Sequence, residues 1–117
     1  MGVLLAGLVV LLGMTACSTG SAEIPVADAV VIDVRTPQEY AEGHLQGAMN
    51  IDVQSDSFER QVSELETGGR YVVYCRSGNR SAQAVELMTK LGFQQVVDAG
   101  GLQDAARATG LPVVSGQ

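Results

Sequence analysis

The sequence predicts an α/β fold, with a mostly parallel central sheet and helices flanking both of its faces. Three observations carry that prediction. Short apolar, β-branched runs recur at Val30-Val31-Ile32-Asp33-Val34, Tyr71-Val72-Val73-Tyr74 and Gln95-Val96-Val97, and such continuous runs suit strands covered on both sides. Helix-length segments with their own start and stop signals separate them, as in strand–helix–strand units. A length of 117 residues suits one domain, assigned here to residues 23–117. The core must be aliphatic, because 46% of residues are hydrophobic while Trp is absent and Phe occurs twice.

The elements follow in order. The first strand covers Val30–Val34. Thr36-Pro37-Gln38-Glu39 then starts a helix, with Thr36 as N-cap, Pro37 at the first helical position and Glu39 completing a capping box. Gly43 closes it, and Ala48 to Val53 is the next extended piece. Asp56 or Ser57 caps a second helix, whose inner face carries Phe58, Val62 and Leu65 and which runs to Gly68-Gly69. The strand Tyr71–Tyr74 leads directly into Cys75. Ser81 opens a helix with Ala84, Val85, Leu87, Met88 and Leu91 on its apolar face, ended by Gly92. A strand at Gln95–Val97, a turn at Gly100-Gly101 and a helix over Leu102–Ala108 complete the chain, with Gly110-Leu111-Pro112 as the stop.

The first 22 residues differ from all of this. They contain no Asp, Glu, Lys or Arg, and Val3 to Leu12 is a nearly unbroken apolar run. That run is shorter than the roughly 20 residues a membrane-crossing helix needs, but matches the hydrophobic region of an export signal. Gly13-Met14-Thr15-Ala16-Cys17 follows it. Small residues before a cysteine at this place resemble the lipobox of bacterial lipoproteins, and the resemblance implies acylation of Cys17. Residues 1–22 are accordingly expected to be a lipoprotein-type signal peptide with a short linker. The protein would then be exported and lipid-anchored at the cell envelope, on the periplasmic or outer face of a membrane. An uncleaved anchor and a plain secretory signal are the alternatives. Two departures from the lipoprotein pattern are the absence of Lys or Arg ahead of the apolar run and Met14 where Leu is usual.

Charge narrows the functions. Seven Lys and Arg against thirteen Asp and Glu give a net charge of -6. Nothing resembles the basic stripe of a phosphate-backbone binder, so nucleic acid is not expected as a partner. With only Cys17 and Cys75 available, acylation of Cys17 leaves one free thiol.

That thiol sits at the sharpest feature of the sequence. A strand delivers Cys75 into the loop Arg76-Ser77-Gly78-Asn79-Arg80, and a helix follows at once. Backbone N–H groups of such a loop can converge on one centre, and the helix N-terminus adds partial positive charge. A cysteine there, close to two Arg, ionises more readily than a free thiol. Gly78 permits a backbone turn where a Cβ would crowd the pocket.

Cys75-Arg76-Ser77-Gly78-Asn79-Arg80-Ser81 resembles the active-site loop of rhodanese-family sulfurtransferases. Ile32-Asp33-Val34-Arg35 with Glu39-Tyr40 is similar to that family's first signature, and Gly43-His44-Leu45-Gln46-Gly47-Ala48-Met49-Asn50-Ile51 to its second. Gly100-Gly101-Leu102 and Gly110-Leu111-Pro112-Val113 are similar to its C-terminal pattern. The resemblance implies a single rhodanese-like domain with Cys75 as the nucleophile that accepts sulfane sulfur as a persulfide. It implies that Arg76, Ser77, Gly78, Asn79, Arg80 and Ser81 bind the substrate, and that Asp33 and Arg35 support the site as a charge pair. The donor would be a small sulfur-containing anion such as thiosulfate, or a persulfide, and the acceptor a thiol or cyanide-like nucleophile. No metal or organic cofactor is implied. Ala105 stands where the family commonly has tryptophan, which implies a looser last helix or a more open pocket edge.

Several residues admit plainer roles. Arg76 could be a solvated surface residue. Arg80 could brace the loop through an ion pair with an acidic side chain instead of touching substrate. His44, the sole histidine, reads as a turn residue rather than a base, and Tyr71 and Tyr74 as core strand residues. Among rival activities, a cysteine phosphatase needs five residues between cysteine and arginine, and that count lands on Ser81 while Arg80 is one short. A thiol–disulfide oxidoreductase would need a Cys-x-x-Cys pair, which is absent. A sulfur carrier, a sensor or a protein-binding module of the same fold is the non-enzymatic alternative.

Overall fold

The computed structural model describes Gly2 and residues 23–117. The expected signal segment, with Cys17, lies outside the described residues. Element order is β1 (Ala29–Asp33), α1 (Pro37–Glu42), β2 (His44–Leu45), β3 (Met49–Asn50), α2 (Phe58–Ser63), β4 (Arg70–Cys75), α3 (Asn79–Lys90), β5 (Gln95–Gly101), α4 (Leu102–Thr109) and β6 (Val113–Val114). Four strands form one sheet in the order β3-β1-β4-β5, with every pairing parallel. This is the predicted α/β fold.

Period-two alternation along the strands sends side chains to two separate cores, one on each face of the sheet. Ile32, Val34, Tyr71, Val73 and Cys75 pack with Phe58 and Val62 of α2 and Ala84 and Met88 of α3. Val31, Val72 and Tyr74 face the other way, against Leu45, Ala48 and Ala105, with Tyr40 of α1 and Leu102 of α4 alongside. Consecutive residues Tyr74 and Cys75 therefore belong to opposite cores.

Local signals placed some boundaries and tertiary contacts moved others. The capping box at α1 forms in full: Thr36 Oγ accepts from the Glu39 N–H and the Glu39 carboxylate accepts from the Thr36 N–H. Helix α2 stops at Ser63, short of Gly68-Gly69, and Ser57 makes no side-chain cap; its hydroxyl bonds Ser55 and Gln61 instead. Helix α3 begins two residues before Ser81, with Gly78 as its N-cap. Gly100-Gly101 is no turn between elements but the end of β5, where Gly101 pairs with Cys75 across an irregular register. The two-residue antiparallel pair β2–β6, which joins His44 to Val114 and Leu45 to Val113, has no local sequence signature. Ala105 is fully buried, so the α4 face is closed without a tryptophan.

Candidate active site

The site lies at the carboxyl end of the parallel sheet, where α/β folds gather their ligands. Cys75 is the last residue of β4 and Gly78 caps α3, so only Arg76 and Ser77 separate strand from helix cap. The chain reverses there because Gly78 adopts φ 105°, a left-handed conformation that a Cβ disfavours; crowding is not the reason, since a Cβ there would meet nothing within 4 Å. The reversal sets the Gly78 N–H 2.9 Å from Cys75 Sγ. The Ser81 hydroxyl lies 3.4 Å from the same sulfur.

Cys75 is fully buried, and burial by itself pushes its thiol up. Hydrogen bonds from the Ser81 hydroxyl and from the N–H groups of Ser81, Gly78 and Ser77 outweigh that effect, so the thiol is held below its ordinary value. The free N–H groups of the first turn of α3 and the helix dipole act in the same direction. The cradle is therefore made of backbone amides and one hydroxyl, as a thiolate or a persulfide anion requires.

The two arginines of the loop separate in role. Arg80 is held bidentately by Glu39, with Nη1 to Oε1 at 2.7 Å and Nη2 to Oε2 at 2.9 Å. That ion pair lowers the Glu39 carboxyl to about 2 despite partial burial, with Thr36 contributing further hydrogen bonds. Arg80 is correspondingly stabilised as a cation, first by Glu39 and to a lesser extent by the negative charges of Cys75 and Asp52. Of its two candidate roles, the geometry realises the brace. Arg76, Ser77 and Asn79 are exposed on the rim of the loop.

Asp33 and Arg35 do pair, and both are buried. The guanidinium donates to both Asp33 oxygens and to the Gly43 carbonyl. Tyr74 completes the network: its hydroxyl donates to Asp33 Oδ2 at 2.7 Å and accepts from the Leu45 N–H at 2.9 Å. Burial, reinforced by Asp33, raises the Tyr74 phenol well above its ordinary value, which keeps it a neutral donor. Arg35 lies over the Tyr74 ring at 5.7 Å. The pair thus anchors the residue before Cys75, on the face of the sheet opposite the thiol. Asn50 closes the junction by donating to the Asp33 and Arg35 carbonyls.

His44 is a structural residue. Its ring stacks on Tyr40 at 3.6 Å and Nδ1 bonds the Tyr40 carbonyl at 2.7 Å.

Sequence reasoning missed two residues of this assembly. Glu39 was visible as half of a capping box, but its second partner lies 41 positions away. Gly101 backs the loop: a Cβ there would meet the Arg76 carbonyl oxygen at 2.5 Å and Ser77 Cα at 3.4 Å. No local pattern announces that contact. Among the described residues, no three His, Cys, Asp or Glu side chains are grouped as metal ligands would be.

Residues 21–107 match the family model of the Rhodanese-like domain. The chain is 36% identical over 85 residues to the thiosulfate sulfurtransferase PspE of Escherichia coli, covering 73% of this chain and 78% of that protein. It is 32% identical over 81 residues to the thiosulfate sulfurtransferase GlpE of Ectopseudomonas mendocina, covering 69% and 72%. A solved structure of a rhodanese with anions from E. coli superposes with a TM-score of 0.65 at 37% identity, over 75% of this chain and 99% of that one. The loop geometry, the parallel sheet and these relationships agree, and the chain belongs to the rhodanese-like domain family.

Proposed function

We propose that this chain is a sulfurtransferase that carries sulfane sulfur as a persulfide on Cys75, from a small anionic donor such as thiosulfate, or a persulfide, to a thiophilic acceptor such as cyanide or a thiol. The observation that carries this reading is the position of Cys75 Sγ on the floor of the loop, 2.9 Å from the Gly78 N–H and 3.4 Å from the Ser81 hydroxyl, with its thiol held below the ordinary value. A cysteine so held forms its nucleophilic thiolate more readily than a free thiol does.

The chemistry is a double displacement. The Cys75 thiolate attacks the outer sulfur of thiosulfate, the new Sγ–S bond forms, and the old S–S bond breaks with its electron pair leaving on sulfite. The terminal persulfide sulfur then carries the negative charge, which the N–H groups of the cradle receive. Cyanide attacks that terminal sulfur, thiocyanate departs, and the electron pair of the Sγ–S bond returns to Cys75. Full burial of Cys75 favours donors that present a narrow sulfur end, and Arg76 on the rim supplies a cation for the donor's anionic end.

The test is the intact mass of the purified chain before and after thiosulfate. Gain of one sulfur, removed by cyanide or thiol and absent in Cys75→Ser, is the expected result. No gain from thiosulfate or from a small persulfide overturns the reading and leaves a binding module or a phosphatase-like activity.

We further propose that the chain is exported, acylated on Cys17 and held by lipid at the cell envelope. The first 22 residues, free of Asp, Glu, Lys and Arg, and the apolar run Val3 to Leu12 followed by Gly13-Met14-Thr15-Ala16-Cys17 support it. Two acyl chains anchor stably where one does not. Metabolic labelling with a fatty acid should mark the wild-type chain and not Cys17→Ser; equal recovery of both in the soluble fraction would refute the anchor.

A further inference from the structure

We infer that the Ser81 hydroxyl is a catalytic hydrogen-bond switch that follows the charge on Cys75 Sγ, and that it acts chiefly by making Cys75 a better leaving group when sulfur is handed on. This rests on the persulfide reading above and assigns a step within it.

Ser81 Oγ stands between two partners. It donates to the Gly78 carbonyl at 2.9 Å and lies 3.4 Å from Cys75 Sγ. With Cys75 as a neutral thiol, the S–H donates to Ser81 Oγ and the Ser81 O–H donates onward to the carbonyl. That chain cannot persist once the thiol ionises, because a thiolate only accepts. A rotation about one hydroxyl bond then turns the Ser81 O–H to the sulfur. The rotation leaves no orphan: the Gly78 carbonyl also accepts from the Ala82 N–H at 3.2 Å, the first intrahelical bond of α3. Ser81 is fully buried, so neither partner can be exchanged for water. Its own N–H, in the unpaired first turn of the helix, points the same way.

In the persulfide the charge moves to the outer sulfur, and Sγ becomes a poor acceptor. Ser81 returns to the carbonyl. As an acceptor nucleophile attacks the outer sulfur, the Sγ–S electron pair flows back to Sγ, and the hydroxyl swings again to meet the charge as it develops. A donor of this kind stabilises the thiolate in both half-reactions, but the consequences oppose each other. It lowers the nucleophilicity of the thiolate in loading and lowers the leaving-group barrier in discharge, since a less basic thiolate attacks more slowly and departs faster.

The test is Ser81→Ala in the full-length chain, with Thr89→Ala as the control. Thr89 makes a comparable hydroxyl bond to a carbonyl, Val85, on the exposed side of the same helix. The Cys75 thiol is titrated by its ultraviolet thiolate absorbance, and loading and discharge are timed separately by intact mass. Loss of one hydrogen bond to a charged group should raise the titration midpoint by about one pH unit. Loading well above that midpoint should rise by about threefold while discharge to cyanide falls several-fold. Thr89→Ala should change neither. An unmoved midpoint, or loading and discharge that fall together, would overturn the switch, the latter being what mere loosening of the loop produces. Failure of the wild-type chain to gain sulfur would instead overturn the sulfurtransferase reading, and the titration would still decide whether Ser81 donates to the thiolate.

Discussion

Replacing Glu39 by Gln should destabilise the domain by an amount that disappears in acid. The Glu39 carboxylate accepts two charge-assisted hydrogen bonds from Arg80 and one each from the Thr36 N–H and hydroxyl. Its carboxyl falls from an ordinary 4.5 to about 2. At about 1.4 kcal/mol for each tenfold change, that fall sets a ceiling of about 3.4 kcal/mol on what ionised Glu39 contributes to folding. Its side chain is 20% exposed and that of Arg80 21%, so solvent screens part of this and about 2 kcal/mol is the expected loss. For a domain of this size that corresponds to a fall of roughly 10 °C in Tm. The sign follows from the depressed pKa. The contribution is complete above about pH 4.5 and is lost as pH falls through about 2, when the native carboxylate is protonated. Thermal unfolding of wild type and Glu39→Gln from pH 7 downward should give a gap that is constant to about pH 5 and then closes. A gap under about 0.5 kcal/mol at pH 7 would place this pair with ordinary surface ion pairs. A gap that persists unchanged to the lowest pH would show that the substitution acts through packing, and either result refutes the argument.

Three further outcomes follow from the same geometry. Gly101→Ala should displace the loop, because its Cβ would sit 2.5 Å from the Arg76 carbonyl oxygen; sulfur loading is expected to fall at least tenfold with a smaller loss of stability, and unchanged loading would show that the loop tolerates the shift. Tyr74→Phe strands the Leu45 N–H and one acceptor position on Asp33, at a cost of about 1–3 kcal/mol in chemical denaturation, whereas a neutral result would mean that water or a neighbour replaces the hydroxyl. Arg76→Ala, on the exposed rim, should raise KM for thiosulfate by roughly tenfold with little change in kcat, as loss of one charged contact does; a fall in kcat alone would place Arg76 in the chemistry rather than in binding.

How far the sequence could be read depended on the distance over which each feature is determined. The capping box at Thr36 and Glu39, the strand that ends in Cys75 and the glycine turn after it are settled within a few residues, and all were legible. Asn79 and Arg80 are joined to α3 by the left-handed Gly78 cap, two residues earlier than Ser81 as a helix opener suggested. Residues Asp98 to Gly101 have low strand propensity; they belong to β5 because β4 lies beside them, with a left-handed Gly100 (φ 76°) at the irregular register, and so they read locally as a turn. The β2–β6 pair has two residues on each strand, too short for any periodicity to emerge. Arg80 was visible as a brace, but its partner was not. That pairing depends on α1 and α3 meeting at the end of the sheet, which only the assembled fold decides.

The capture of Arg80 also bears on why this loop suits sulfur rather than phosphate. A phosphoryl group needs donors around several oxygens at once, and an arginine fork aimed into the loop is the usual provider of two of them. Here both outer guanidinium nitrogens of Arg80 are committed to Glu39 at 2.7 and 2.9 Å, and the spacing from Cys75 leaves Ser81 where a longer loop would present its arginine. What faces Cys75 is small: the Gly78 N–H, the Ser81 hydroxyl and the N–H groups of Ser77 and Ser81. Such a set matches one soft, singly charged atom. Gly101 lines the same loop from its other side, since a Cβ there would meet the Arg76 carbonyl oxygen at 2.5 Å. The proposed preference for sulfur therefore rests less on any one side chain than on two features, an arginine committed to Glu39 and a short loop backed by Gly101.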